Sequence, residues 1–269
     1  MPQEQITKIT ADSFITEAAT PVYNPPPKVE TSGEGQSKPY KILHPANYSQ
    51  MLLRNRYALF DDIYHEKNLN GIIQYFAMMS LLFLASYGVC LGSYSGNLQI
   101  LSSAIKIPVL FFLTLAVCAP ALYTFNVLLG SKLSLRQIVA MLMVKTFLIS
   151  LILVSFAPIM LFFIVTAGSH DFTTLLNVSM CGIAGAFGLS LLWKGMDYIT
   201  VKHDETPNNS ILLIWIAIYM FVGTQLAWSL RPFVGETSAF SWFREIDGNF
   251  YAYLLNLFTG IFSSRPYVP

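Results

Sequence analysis

Five long apolar runs follow one another from Gly71 onward: Gly71–Gly92, Ala104–Gly130, Ile138–Ala167, Phe172–Ile199 and Ser210–Leu230. A helix rises about 1.5 Å per residue, so roughly 20 apolar residues cross a hydrocarbon core of about 30 Å, and every run is long enough. Lipid offers no water to backbone amides, so each run is expected to close its hydrogen bonds internally as a helix. The expected fold is all-α: a polytopic integral membrane bundle of about five transmembrane helices, with interfacial amphipathic helices beside it. Composition agrees with this. Hydrophobic residues make up 54% of the chain and charged residues 12%, against about 25% charge in an average soluble domain. The net charge of +1 gives no electrostatic basis for binding nucleic acid.

Basic residues cluster on cytoplasmic loops of membrane proteins. Here Lys38, Lys41, Arg54, Arg56 and Lys67 precede the first run, and only Lys106 marks the next loop. Lys132 and Arg136 follow the second run, the turn Gly168-Ser169-His170-Asp171 has no Lys or Arg, and Lys194 and Lys202 close the fourth. This alternation predicts a cytoplasmic amino terminus and a carboxyl terminus on the opposite side. The longest run, Ile138–Ala167, overshoots the core as a straight helix. Tilt and a kink before Pro158 are expected to absorb the excess, since dividing the run would leave two halves too short to span.

The flanks divide into three segments. Residues 1–45 are a polar tail containing Asn24-Pro25-Pro26-Pro27, expected to be disordered unless a partner holds it. No cleaved leader is expected, so the first run doubles as the targeting signal. Residues 46–70 carry Leu52, Leu53, Tyr57, Leu59, Phe60, Ile63 and Tyr64 mostly at helical spacing, with Arg54, Arg56, Asp61 and Asp62 mostly off that stripe. The pattern predicts an amphipathic helix lying along the membrane surface, its arginines near lipid phosphates. Residues 231–269 form an aromatic-rich interfacial tail, leaving 71–230 as the five-helix domain.

Lys145 is the charged side chain that lies well inside a span. A lysine at the centre of a bilayer helix costs on the order of 3 kcal/mol, and Lys145 is expected to snorkel toward the headgroups from about two turns inside its run. Lys194 and Asp197 are spaced to form a local ion pair. Cys181/Gly185 and Ala184/Gly188 predict close helix packing rather than a substrate site. Cys90, Cys118 and Cys181 all fall inside spans without CxxC spacing and read as packing residues.

His44, His65, His170 and His203 lie outside the spans, and Gly92-Ser93-Tyr94-Ser95-Gly96 reads as a turn. There is no H-E-x-x-H, Walker A or G-x-G-x-x-G pattern. No catalytic residue, cofactor or metal site is therefore expected. Trp228 and Arg231 close the last run as interfacial anchors. The residues expected to meet lipid or a neighbouring protein are Arg54, Arg56, Lys145, Trp228, Arg231, Trp242 and Arg244.

Five spans between a long polar cytoplasmic tail and a short far-side tail resemble the Yip-type membrane proteins of vesicle traffic. Leu91-Gly92-Ser93-Tyr94-Ser95, Lys106-Ile107-Pro108, Leu129-Gly130-Ser131, Ala157-Pro158 and Leu230-Arg231-Pro232-Phe233 are similar to landmarks of a poorly characterised bacterial multi-pass family. The D-L-Y-G-P signature of the eukaryotic Yip-type proteins is absent, with Asp62-Ile63-Tyr64 its nearest remnant. The resemblance, over about residues 50–260, implies a shared topology. The expected role is a non-catalytic accessory or scaffold subunit of a larger membrane assembly, its partners other membrane proteins, lipids or further copies of itself. The alternative is a small-solute transporter or channel built on the proline-broken helices.

Overall fold

The computed structural model describes residues 46–93, 97–128, 132–167, 170–203 and 209–230, and every regular element among them is a helix. In chain order these are α1 (Ala46–Arg54), α2 (Arg56–Tyr64), α3 (Leu69–Gly92), α4 (Asn97–Leu128), α5 (Leu135–Ala167), α6 (His170–Lys202) and α7 (Asn209–Leu230). The last five are long and apolar enough to cross a membrane. The chain is a multi-pass integral membrane protein of the all-α class, one helix for each apolar run. The tail 1–45 and the aromatic segment 231–269 lie outside the described residues.

Prolines do not divide the spans. Pro108 and Pro120 lie inside α4 and Pro158 inside α5, and each helix runs on past them. Polar side chains in the spans bond back to their own helices: the hydroxyls of Ser80, Thr114 and Thr146 donate to the carbonyls of Phe76, Leu110 and Leu142. In lipid such bonds satisfy a hydroxyl that has no water to turn to.

Helix α3 packs against α4 and α5, α5 against α6, and α7 chiefly against α4. The core has two parts. At the end that carries α1 and α2, Leu59, Phe60, Ile63, Phe76, Phe147 and Trp215 belong to one buried cluster. Toward the opposite end, Leu84, Tyr87, Leu91, Ile149, Leu153 and Met160 form another.

The amphipathic segment differs from expectation. It is two helices, not one, broken at Asn55, whose φ of −144° and ψ of 66° lie outside the helical region. Its stripe does not rest on lipid: Leu59, Phe60 and Ile63 are completely buried, in a helix that packs on α5 and α6. Gly195 on α6 permits this, because a Cβ there would collide with the Met141 side chain and sit 3.1 Å from Phe60 Cε1. The ends of α5 and α6 offer apolar surface of their own, and α2 buries its stripe there.

Left-handed backbone at Glu66 (φ 54°) and Asn68 (φ 50°) turns the chain from α2 into α3. Both side chains are tied down. Asn68 Nδ2 donates to Tyr48 Oη at 3.0 Å, and Ser134 Oγ donates to Glu66 Oε1 at 2.7 Å.

Candidate functional site

Lys145 is enclosed within the bundle, against the expectation that it snorkels. Its side chain is fully buried, with Nζ 3.5 Å from the ring centroid of Tyr219 and 5.6 Å from that of Trp215. Tyr219 is halfway along α7, which runs from Asn209 to Leu230, so the ammonium sits beside the middle of that helix. Trp215 is held in turn: its Nε1 donates to the Cys118 carbonyl at 2.9 Å, and its ring stacks on Tyr219 with centroids 5.2 Å apart. Lys145 Nζ makes no hydrogen bond, so the two ring faces are its partners. Aromatic faces carry negative charge density and hold a desolvated cation by about 2 kcal/mol or more. Both rings belong to α7, so that helix helps to enclose the lysine within the bundle.

A second polar group lies in the other half of the bundle. Tyr87 Oη donates to Asn177 Oδ1 at 2.7 Å across α3 and α6, both residues buried. Asn177 Nδ2 has no partner, and neither does the buried hydroxyl of Ser102. Thr173 and Thr174, one turn before Asn177 on α6, are also buried. Sequence reasoning passed over Asn177. The available signal was its four-residue spacing from Thr173 and Cys181, which puts polar side chains on one helix face. All three cysteines are free; Cys90 Sγ donates to the Ala157 carbonyl at 3.3 Å, beside Pro158.

At the end that carries α2, Gln137 joins three pieces of chain. Its Oε1 accepts from the Ser134 amide at 2.9 Å while Ser134 Oγ accepts from the Gln137 amide at 3.3 Å, a capping box that starts α5. Its Nε2 donates to the carbonyls of Ile63 and Tyr64, at 3.3 and 3.0 Å, and so closes the last turn of α2. Asp61 pairs with Lys202 and lies 3.7 Å from His65, and Asp62 lies 3.6 Å from Lys67. Burial pushes the Asp62 carboxyl above its ordinary range, and the nearby Lys67 ammonium only partly opposes this. The ion pair expected between Lys194 and Asp197 is not formed; Lys194 is exposed and Asp197 half-buried.

The outer surface of α6 is unusual for a face turned to lipid. Ser179, Gly182, Ala186 and Ser190 are exposed on it, and a Cβ added at Gly182 or Gly185 would meet nothing within 4 Å. Packing through small residues is realised on the other face, where a Cβ at Gly188 would collide with Ile149 of α5.

Of the expected contact residues, Arg54 and Arg56 are exposed at the α1–α2 elbow, Lys145 is enclosed, and Trp228 is half-buried near the end of α7. Arg231, Trp242 and Arg244 lie outside the described residues. Among the described residues, no three of His, Cys, Asp and Glu come together where they would hold a metal ion. Comparison with protein-family models, with curated proteins and with solved structures gives no match.

Proposed function

We propose that the protein is a non-catalytic accessory or scaffold subunit of a larger assembly in a bacterial inner membrane, amino terminus cytoplasmic and carboxyl terminus opposite. The observation that carries this reading is the exposed face of α6. Gly182, Ala186 and Ser190 recur there every four residues, exposed and with no helix against them among the described residues. Lipid has no need of small residues, whereas a second helix does, because they let two backbones approach closely and exchange dispersion contacts. Helix α7 buries the smallest share of its length among the five spans and leaves Leu213, Ile214, Met220 and Phe221 exposed. The test is native purification in mild detergent with crosslinking and mass spectrometry, comparing the native chain with G182I/A186I. The double variant is expected to keep its own thermal midpoint and lose both the co-purifying protein and its crosslinks to α6. A native chain recovered only as a monomer would end this reading.

A second reading, a small-solute carrier, is favoured by the unpartnered amide of Asn177 and by Lys145, since buried polar groups in spans commonly line solute or proton paths. Proteoliposomes in which Asn177→Ala or Lys145→Ala abolishes uptake of a solute that the native chain carries would favour it over the first.

A further inference from the structure

The elbow between α1 and α2 packs beside the last turns of α6. The Tyr57 ring packs on Tyr198 of α6, with centroids 5.7 Å apart. Residue 198 is one turn before the end of α6 at Lys202, in a stretch that also carries Lys194 and Asp197, and such charges belong at the headgroup layer rather than in the hydrocarbon core. Arg54 ends α1 and Arg56 begins α2, so the break at Asn55 places two exposed arginines at one corner. Neither has a carboxylate partner; the Arg56 guanidinium lies 5.5 Å from the Tyr57 ring centroid. Lys194, unpaired, is four residues from Tyr198 and therefore on the same side of α6 as the Tyr57 contact. Nearby carboxylates are occupied, Asp61 by Lys202 and Asp62 by Lys67, while Asp197 lies about 100° round the helix from Tyr198.

Apolar exposure completes the pattern. Leu53 is 63% exposed and Tyr57 47% exposed, directly beside the two arginines. In water that pairing is unfavourable, but at a bilayer surface it matches a lipid, whose phosphate lies just above its first methylene groups. A guanidinium fork offers paired N–H donors to phosphate oxygens, and an ammonium adds a further point charge. We propose that this elbow binds the phosphate headgroup of an anionic phospholipid, held by Arg54, Arg56 and Lys194, with Leu53 and Tyr57 against the upper acyl chain. The site fixes α1 and α2 to the membrane plane whatever the function of the bundle.

The full-length protein is reconstituted in phosphatidylcholine nanodiscs and in nanodiscs of equal parts phosphatidylcholine and phosphatidylglycerol. Thermal midpoints are measured in each, and retained lipid is counted by native mass spectrometry. Phosphatidylglycerol is expected to raise the midpoint of the native chain. R54Q/R56Q should lose at least half of that rise and one retained phosphatidylglycerol, with its midpoint in phosphatidylcholine unchanged. Lys194→Gln, on a separate helix, should lose part of the rise as well and serves if the double variant fails to fold. Arg136→Gln removes an exposed charge near the other end of α2 and should keep the whole rise. An equal rise in the native chain, R54Q/R56Q and Lys194→Gln overturns the proposal, as does an equal loss from Arg136→Gln, which would mean diffuse attraction. Inorganic phosphate reproducing the rise in phosphatidylcholine would overturn the lipid as the source.

Discussion

Replacing Tyr219 by leucine tests whether the two aromatic rings are what make an enclosed lysine tolerable. Burying Lys145 costs on the order of 3 kcal/mol. Tyr219, with its centroid 3.5 Å from Nζ, offsets about 2 kcal/mol of this, and Trp215, at 5.6 Å, is close to the roughly 6 Å limit of such contacts and offsets less. Lys145→Met removes cost and compensation together and should change stability by less than about 1 kcal/mol. Tyr219→Leu alone leaves the cation enclosed with only the weaker ring and also thins the packing of α7 on α4, for a loss of about 3 kcal/mol. In the Lys145→Met background the same change should cost only its packing share, about 1 kcal/mol. The coupling between the two sites is therefore about 2 kcal/mol, read from a double-mutant cycle by reversible unfolding of micelle-bound protein in increasing sodium dodecyl sulfate. Additivity within about 0.5 kcal/mol would show that Tyr219 is not what stabilises the lysine.

Gln137→Ala deprives the Ile63 and Tyr64 carbonyls and the Ser134 amide of their partner, and should cost about 2–3 kcal/mol, with faster amide exchange confined to α2 and the first turn of α5. Gly188→Ala and Gly185→Ala should have opposite signs in thermal midpoint. The first forces the Ile149 side chain aside at about 1–3 kcal/mol, while the second meets nothing and gains up to about 1 kcal/mol of helix propensity. The Asp62 carboxyl titrates above its ordinary 3.8 in the folded protein, so between that value and the raised one the folded state holds more protons than the unfolded state. Stability then falls as pH rises through this window and stays lower above it. Asp62→Asn should remove that slope and be the more stable form at neutral pH, measured as midpoint against pH.

The spans were legible because a bilayer imposes one simple demand, a closed backbone and an apolar exterior over a fixed thickness, and the runs meet it residue by residue. The capping box at Ser134 and Gln137 follows a three-residue spacing but went unread in the sequence, as did the second use of Gln137 as a cap on α2. What misled was any inference about which neighbour a side chain would meet. Lys145 was measured from the near end of its own helix, and on that scale a snorkelling path exists. In the fold its neighbour is α7, a helix more than 60 residues later in the chain, whose Trp215 and Tyr219 rings face its ammonium.

The same reasoning explains α2. Periodicity states that Leu59, Phe60 and Ile63 share a face, and a face can be buried in lipid or in protein at similar gain, about 25 cal/mol per Å² in either case. The choice is made by Gly195, whose missing side chain leaves room for Phe60 and Met141 side by side, and by Gln137, whose amide reaches the carbonyls at the end of α2. Neither is part of the amphipathic pattern. Once the stripe is taken up by α5 and α6, the residues left over at the elbow, Leu53, Arg54, Arg56 and Tyr57, stay exposed, Tyr57 on the side away from Tyr198. The lipid contact expected for the whole segment therefore contracts to one corner, where charge and apolar surface lie in the order a phospholipid presents them.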